Sequence, residues 1–325
     1  MIDHGTSIAY LKAGNDRGRL FAGQTMSVLW GDIEWLTLGE VADRAGLDED
    51  TLRRLRRACG LADPGGERSC PAVEVELWQA AAAAIALVGE ESLSGFMRSL
   101  GAAASASAEA TLALARDANP LSWQSEAAYA EWALRGARLI EQIPRALDLL
   151  FRLHVPLAGD QILRYAEAPQ EFTEFTVGFV DLVDSTSVVE RRGPQEVVRA
   201  MADFARLAST SAVSSGARLV KLIGDEAMFV AGDAVDAVDI VRTIGDDPEL
   251  PPLRAGLAAG VLVVREGDVF GPVVNLAARL VKQAEPGQVL LDAEAGLRLG
   301  HDHVEPLGAR VLAGIEGPVE VFAAR

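Results

Sequence analysis

Residues 221–229 read Lys-Leu-Ile-Gly-Asp-Glu-Ala-Met-Phe, and this stretch decides how the second half of the chain is interpreted. Two apolar runs flank a Gly-Asp pair, a pattern that predicts two antiparallel strands joined by a tight turn. Gly224 permits the backbone geometry that such a turn demands. The turn presents Asp225 outward, with Glu226 beside it and Lys221 on the first strand. Taken alone, this stretch is explained as well by a surface hairpin with ordinary charged residues as by a functional site.

The composition of the 325-residue chain predicts a packed globular protein with room for two domains. Its net charge of −17 argues against a nucleic-acid-binding surface, which needs concentrated lysine and arginine. Cys59 and Cys70 form neither a metal-ligand pattern nor a disulfide framework, which favours a reducing compartment. No signal peptide is visible, and the longest apolar run, residues 80–88, is too short to span a bilayer. We therefore expect a cytoplasmic protein that binds neither nucleic acid nor membrane.

The character of the chain changes near residue 170, and this change sets the predicted domain bounds. Residues 1–35 lack periodicity and are expected to form a poorly ordered leader. Residues 36–166 are rich in Ala, Leu, Glu and Arg, which predicts a helical domain, and residues 167–172 form a linker. Strands and helices alternate over residues 173–325, so this domain is α+β or α/β.

A helix-turn-helix pattern opens the helical domain. Thr37 and Glu40 have the spacing of a capping box at the start of the first helix. Gly46 ends that helix, and Asp48 caps the second. The second helix is basic through Arg53, Arg54, Arg56 and Arg57. DNA recognition would use such a helix, but we favour a packing module with solvated arginines because the chain is acidic overall.

Glycine and proline predict where the later helices break. Breaks are expected at Gly89, Gly101 and residues 119–120. Pro144 is expected to kink or start a segment over residues 145–154 that is apolar along one face. Pro156 and Gly159 are expected to end that segment.

Two aspartates of the second domain stand where a metal ion could bind. Asp181 ends an apolar strand, and a carboxylate there is poorly solvated unless something binds it. Asp225 lies at the tip of the hairpin. If the hairpin pairs beside the first strand, the two carboxylates face one site and supply the oxygen ligands that Mg²⁺ or Mn²⁺ prefers. Each aspartate by itself is explained as readily by a turn or a strand-end cap.

A third motif runs from Asp268 into a helix that starts near Pro272. Asn275 and Arg279 are four residues apart, hence on one face of that helix, where an amide and a guanidinium could hold phosphate oxygens. A solvated polar stripe is the plain alternative. The surrounding residues make the helix apolar nearly all round, so both side chains are expected to be buried and to need partners.

In these three blocks the chain resembles the catalytic domain of class III nucleotidyl cyclases, over roughly residues 172–325. The blocks are Phe-x-Asp-Leu-Val-x-Ser-Thr around Asp181, Lys-Leu-Ile-Gly-Asp ending at Asp225, and Asp-x-x-Gly-x-x-Val-Asn-x-x-x-Arg from Asp268 to Arg279. The resemblance implies an α+β fold, with an N-terminal all-helical regulatory domain followed by a ferredoxin-like βαββαβ catalytic domain. It also implies that ATP is converted to 3′,5′-cyclic AMP and pyrophosphate.

The resemblance assigns a role to each matching position. It implies two Mg²⁺ or Mn²⁺ ions per active site and a homodimer that shares its sites between subunits. The metal ions would be bound by Asp181, Asp225 and Leu182. Adenine would be recognised by Lys221 and Asp268, and the transition state would be stabilised by Asn275 and Arg279. Hydrogen bonds to the base can reject the wrong nucleotide by roughly 10⁴ or more, which favours ATP over GTP.

Two departures from the family pattern concern the triphosphate. Asp184 stands where the family often has glycine, which adds negative charge. Ala313 stands where the family often has a basic residue before glycine, and Glu316 follows it; Arg310 is a candidate substitute. These departures bear on ATP affinity more than on the type of reaction.

The helical half resembles the regulatory domain of actinobacterial pH-responsive adenylyl cyclases, and we hypothesise that residues 145–165, including His154, form the switch. Two alternative functions belong to a different class from an enzyme. One is a cyclase-like module that binds nucleotide without turnover, and the other is a helix-turn-helix transcription regulator with a cyclase-like sensor domain. A diguanylate cyclase is a further neighbour, but the residues flanking Gly224 and Glu226 depart from that signature.

Overall fold

The fold is given by a computed structural model, which describes residues 33–64, 68–117, 140–159, 174–183, 194–265 and 267–325. The chain divides into two compact units, one within residues 1–160 and the other within residues 161–325. Each unit has its own buried apolar core. Within the described ranges, we find no helix that combines the length and the apolar character needed to cross a membrane.

The first unit opens with a short strand pair that encloses two helices. β1 (Trp35–Leu36) pairs antiparallel with β2 (Cys70–Pro71), so Trp35 belongs to the folded unit and not to the predicted leader, whose first 32 residues lie outside the described ranges. Between the strands lie α1 (Leu38–Ala45) and α2 (Glu49–Ala58). The capping box is confirmed, since the Thr37 N–H donates to Glu40 Oε2 at 2.8 Å and the Glu40 N–H donates to Thr37 Oγ1 at 3.2 Å.

The arginines of α2 are all held by carboxylates of the same unit. Arg54 Nε donates to Glu90 Oε1 at 2.7 Å, and Arg56 forms a largely buried ion pair with Glu74. The remaining pairs are Arg53 with Glu49 and Arg57 with Asp63. Side chains neutralised in this way are poorly placed to contact phosphates, which supports the packing module over DNA recognition.

Long helices make up the rest of the first unit. α3 (Glu74–Val88) and α4 (Glu90–Asp117) are separated by Gly89, as predicted. The break expected at Gly101 is wrong, because α4 runs through it. A Cβ at this position would collide with the Cys59 backbone, so the glycine serves close packing of α4 against the end of α2.

The next described helix, α5, spans residues 140–159 and contains both prolines that were expected to delimit it. It is continuous through Pro144 and Pro156, so neither residue starts or ends it there. Several of its apolar side chains are exposed within this unit, including Phe151 and Leu153. The predicted break at residues 119–120, the linker and the last part of the hypothesised switch lie outside the described residues.

The second unit begins with a βαββαβ sequence of elements. In chain order these are β3 (Glu174–Leu182), α6 (Pro194–Ser214), β4 (Arg218–Ile223), β5 (Glu226–Ala231), α7 (Ala234–Gly245) and β6 (Leu253–Val261). The later elements are β7 (Val263–Arg265), β8 (Asp268–Phe270), α8 (Pro272–Gln283), β9 (Val289–Asp292), α9 (Ala293–Leu299), a 3₁₀ turn (His301–His303), β10 (Val304–Val311) and β11 (Pro318–Ala324).

One seven-stranded sheet, in the order β10-β11-β9-β6-β3-β5-β4, forms the centre of this unit. β3 lies between β5 and β6 and is antiparallel to both, whereas β6 and β9 are parallel. The order β6-β3-β5-β4 is that of a ferredoxin-like fold, which confirms the predicted fold class. The chain leaves the sheet after Val261 and forms a separate β7–β8 hairpin.

Helices cover the two faces of the sheet unequally. α6, α7 and α9 pack on one face, in a core that includes Val180 and Leu182 of β3. Of the described helices, α8 alone packs on the other face, against a core that includes Phe179. A Cβ on Gly256 of β6 would collide with the α8 backbone, so this glycine lets the helix lie close. Side chains alternate along a strand, hence Asp181 lies on the same face as Phe179 and α8.

Candidate active site

The β4–β5 hairpin has the predicted form, and it pairs beside β3 as the predicted metal site requires. Gly224 adopts a φ of 63° in the turn, the left-handed region that glycine enters without strain. β5 pairs with β3, and the Leu182 N–H donates to the Asp225 carbonyl oxygen at 3.1 Å. The structure therefore brings Asp181 and Leu182 next to the turn that carries Asp225.

Asp181 is engaged by an arginine that the sequence reasoning missed. Arg254 lies directly opposite Asp181 on β6 and donates to a single carboxylate oxygen, Oδ2, from Nε at 2.8 Å and from Nη2 at 2.6 Å. The Asp181 side chain is 16% exposed and that of Arg254 is 32% exposed. The signal in the sequence was a charged residue in the second position of an apolar strand, much like the isolated charge that marks Asp181.

Glu226 extends this contact into a row of three charged residues across adjacent strands. Glu226 on β5 lies opposite Asp181, which lies opposite Arg254 on β6, so the three side chains share the α8 face. Burial raises the pKa of Glu226, and the neighbouring Asp181 raises it further, while Lys282 and Arg254 act in the opposite direction. The row concentrates negative charge at this edge of the site.

Lys221 and Asp268, predicted to read the base, form a direct ion pair. Lys221 Nζ donates to Asp268 Oδ2 at 2.5 Å, and the Val269 N–H donates to Asp268 Oδ1 at 2.8 Å. Burial acts to raise the pKa of Asp268, but the hydrogen bonds from Lys221 and Val269 outweigh it and hold the pKa below its usual value. Arg218 also donates to the Gly267 carbonyl, which ties β4 to the β7–β8 hairpin.

Asn275 and Arg279 lie on α8, but the expected burial of both is wrong. Asn275 is exposed and Arg279 is half-buried, because α8 buries only the stripe of Val273, Ala277, Leu280 and Val281. The Arg279 Nη2 atom would lie 3.9 Å from a Cβ on Gly314, so its guanidinium is beside the loop between β10 and β11. Ala313 is exposed in that loop.

The donor set near the hairpin fits a hard divalent cation that substrate oxygens help to coordinate. The candidate ligands are carboxylate oxygens of Asp181 and Asp225, and Leu182 can contribute only through its backbone carbonyl. Among the described residues no cluster of three or more His, Cys, Asp or Glu side chains is arranged to hold a metal alone. Mg²⁺ commonly binds one or two carboxylates and completes its shell with substrate phosphates and water, so the set is adequate. Asp184 lies outside the described residues.

The chain is similar in sequence to known proteins. No protein-family model matches the chain. The chain is 30% identical to an uncharacterized protein of Mycobacterium tuberculosis, over 98% of its own length and 86% of the relative. It is 28% identical to an adenylate cyclase of Streptomyces coelicolor, over 78% of the chain and 68% of the relative. A pH-sensitive adenylate cyclase of M. tuberculosis is also 28% identical, over 93% of the chain and 81% of the relative.

A solved adenylate cyclase of Trypanosoma brucei has 24% identity and a TM-score of 0.43, and the match covers 48% of the chain and 92% of that structure. The chain belongs to the class III nucleotidyl cyclases. Its similarity to the pH-sensitive relative covers the helical half as well as the sheet domain.

Proposed function

We propose that the protein is an adenylyl cyclase, which converts ATP to 3′,5′-cyclic AMP and pyrophosphate. The observation that carries the proposal is the pairing of Lys221 with Asp268 at 2.5 Å beside the hairpin. A lysine can donate to a ring nitrogen of adenine while an aspartate accepts from its exocyclic amine. Guanine presents the opposite pattern at that edge, so it would leave these groups unpaired.

Asp181 and Asp225 would hold two Mg²⁺ or Mn²⁺ ions, with the Leu182 carbonyl as a further ligand. Bound ions of this kind supply neutralisation of phosphate charge and a more acidic ribose 3′-hydroxyl. The chain's own groups orient the substrate around that centre. The Arg279 guanidinium and the Asn275 amide would donate to oxygens on which negative charge develops as the 3′-oxygen attacks the α-phosphate.

The proposed enzyme works as a homodimer with active sites shared between subunits. Asn275 is exposed on α8, where a second subunit can reach it. Exposed apolar side chains also surround the Lys221–Asp268 pair: Leu222, Ile223, Val263, Val264 and Phe270. Apolar groups gathered around a functional pair are typical of a surface that another subunit covers.

Product analysis tests the reaction. The purified full chain is incubated with Mn²⁺ and either ATP or GTP between pH 5 and pH 8, and the cyclic nucleotides are quantified. We expect cyclic AMP from ATP and far less cyclic GTP from GTP. A folded dimer that forms no cyclic AMP anywhere in this range contradicts the proposal.

A mixing experiment tests the shared sites. Asp225→Ala and Lys221→Ala chains are each expected to be inactive, because every site in either homodimer lacks one group. In a mixed dimer one site receives both defects and the other receives none, so part of the activity returns. Absence of recovery in a verified heterodimer argues that each subunit builds its own site.

We further propose that the helical half regulates the catalytic domain, and the support is the 28% identity to a pH-sensitive adenylate cyclase across both halves. Equal activity and an equal pH profile for residues 170–325 alone would refute this. A catalytically weak nucleotide-binding module is the second candidate, favoured by the exposed Ala313, which precedes the glycine that lies beside Arg279. ATP binding without any cyclic product would identify it.

A further inference from the structure

We propose that Arg254 is the built-in counter-ion of the metal site, which keeps divalent ions from binding Asp181 firmly before the nucleotide arrives. The inference rests on the proposed function, because it takes Asp181 as a metal ligand. Before the nucleotide binds, Arg254 acts on the metal site through its contact with Asp181.

The hydrogen-bond geometry gives Arg254 control over one carboxylate oxygen. Nε and Nη2 both donate to Oδ2 of Asp181, at 2.8 Å and 2.6 Å. No other described residue donates to Oδ1, which therefore remains for a cation. A guanidinium that donates twice to one oxygen fixes the orientation of the carboxylate in the metal-free protein.

The charges around Asp181 explain why a counter-ion is needed there. Glu226 lies opposite Asp181 on one side, and Asp225 lies in the adjacent turn. Without a cation these carboxylates repel one another at the partly buried ends of β3 and β5. The positive charge of Arg254 offsets this repulsion, and it also repels a free divalent ion that approaches the same carboxylate.

The backbone holds Arg254 in this position. Asp181 and Arg254 are directly paired residues of β3 and β6, strands that pair along their whole length from Glu174 to Leu182. Two residues further along β6, Gly256 is pressed against α8. Rigid strands set the separation of the two side chains, so the contact follows from the sheet register and not from a mobile loop.

Binding of Mn²⁺ alone, without nucleotide, tests the inference. The full chain is titrated at low salt, and free Mn²⁺ is followed by electron paramagnetic resonance. Arg254→Gln removes the charge but keeps an amide donor, and we expect it to tighten Mn²⁺ binding by about tenfold or more, since one unit charge about 5 Å from a divalent ion has that effect even at high dielectric. Arg254→Lys keeps the charge and should bind Mn²⁺ as the wild type does.

Arg298→Gln is the matched control. Arg298 is also a partly buried arginine with a carboxylate partner, Glu294 at 3.0 Å, but it lies on α9 at the opposite face of the sheet. Its substitution should leave Mn²⁺ binding unchanged. The double variant Asp181→Asn with Arg254→Gln should lose the tightening, which shows that the effect acts through Asp181.

Thermal melting gives a second readout if Arg254→Gln folds less stably. Mn²⁺ should raise its melting midpoint more than that of the wild type, since a ligand that binds more tightly stabilises the folded state more. Unchanged or weaker Mn²⁺ binding by Arg254→Gln overturns the inference, even if the wild type makes cyclic AMP. If Asp181→Asn changes neither Mn²⁺ binding nor product formation, the metal assignment of the proposed function fails, and the inference fails with it.

Discussion

Asp181 and Asp292 follow similar sequence patterns, but their carboxylates have different hydrogen-bond partners in the structure. Each is an aspartate that comes directly after three apolar or small residues at the end of a strand, Gly-Phe-Val before Asp181 and Val-Leu-Leu before Asp292. Asp181 meets the guanidinium of Arg254 at the end of a central strand of the sheet. Asp292 is buried, and its Oδ1 accepts hydrogen bonds from the Ala295 N–H at 3.0 Å and the Ala259 N–H at 3.1 Å.

The difference comes from the element that each aspartate leads into. Asp292 is the N-cap of α9, so the backbone of the next turn satisfies its carboxylate. Asp181 precedes Leu182, which is bonded to the hairpin turn, and no helix begins there among the described residues. The residues that follow a strand-end aspartate therefore distinguish a helix cap, as at Asp292, from a side chain held by a neighbouring strand, as at Asp181.

The largest expected effect is on catalysis. Asp181→Asn should lower the rate of cyclic AMP formation by about 100-fold or more, since metal ligation supplies several kcal/mol and each 1.36 kcal/mol is tenfold. The melting midpoint should change little, because an asparagine oxygen still accepts from Arg254. Steady-state kinetics with Mn²⁺ and a thermal melt measure both. Asp233→Asn, at the exposed cap of α7, is the control and should keep full activity.

The next largest effect is on stability, at the other aspartate. Asp292→Ala should lower the free energy of unfolding by about 2 kcal/mol, because it leaves the buried N–H groups of Ala259 and Ala295 without their acceptor. The melting midpoint should fall by roughly 4–8 °C. Asp233→Ala removes an exposed cap and should cost about 1 kcal/mol or less. If the two alanine variants lose the same stability, burial does not increase the contribution of the Asp292 cap.

A smaller effect, a gain in stability, is expected at Thr176. The Thr176 hydroxyl on β3 is buried without a hydrogen-bond partner in the described part of the chain, and Thr176 lies opposite Ala259. Thr176→Val removes this unsatisfied group at nearly constant shape, so the free energy of unfolding should rise by about 1 kcal/mol. Chemical denaturation measures the change. A loss of stability would mean that the hydroxyl has a partner after all.

The smallest effect is a pH dependence at Asp292. Burial raises the pKa of Asp292 above its ordinary value of 3.8. The unfolded chain therefore loses the proton first, and the stability associated with the protonated side chain falls as the pH rises through the folded-state pKa. Asp292→Asn keeps an acceptor and cannot ionise. Its melting midpoint relative to the wild type should rise from pH 4 to pH 7, and a constant difference would contradict the argument.

The sequence predicted the parts of the site that depend on local pattern. The hairpin turn follows from Gly224, the cap of α2 from Asp48, and the start of α8 from Pro272, and all three are as expected. The pairing of the hairpin with β3 was stated as a condition, and the structure fulfils it.

Other features depend on distant parts of the chain and could not be predicted. The contact between Arg254 and Asp181 requires the register of β6 on β3, and these residues are far apart in sequence. Gly101 was interpreted as a helix break because its neighbour in space, the Cys59 backbone, is invisible in the local pattern. Asn275 was expected to be buried, because residue type alone does not show which stripe of α8 faces the sheet.

The two hydrogen bonds that hold the end of β3 have a consequence for how tightly a cation can be held. The Leu182 N–H bonds to the Asp225 carbonyl at 3.1 Å, and the Val183 N–H bonds to the Pro252 carbonyl at 2.7 Å. The two segments that carry the proposed metal ligands are thereby held together before any ion arrives, which would give the proposed site a chelate effect. The loop closure that brings them together is completed during folding, so ion binding need not supply that conformational entropy.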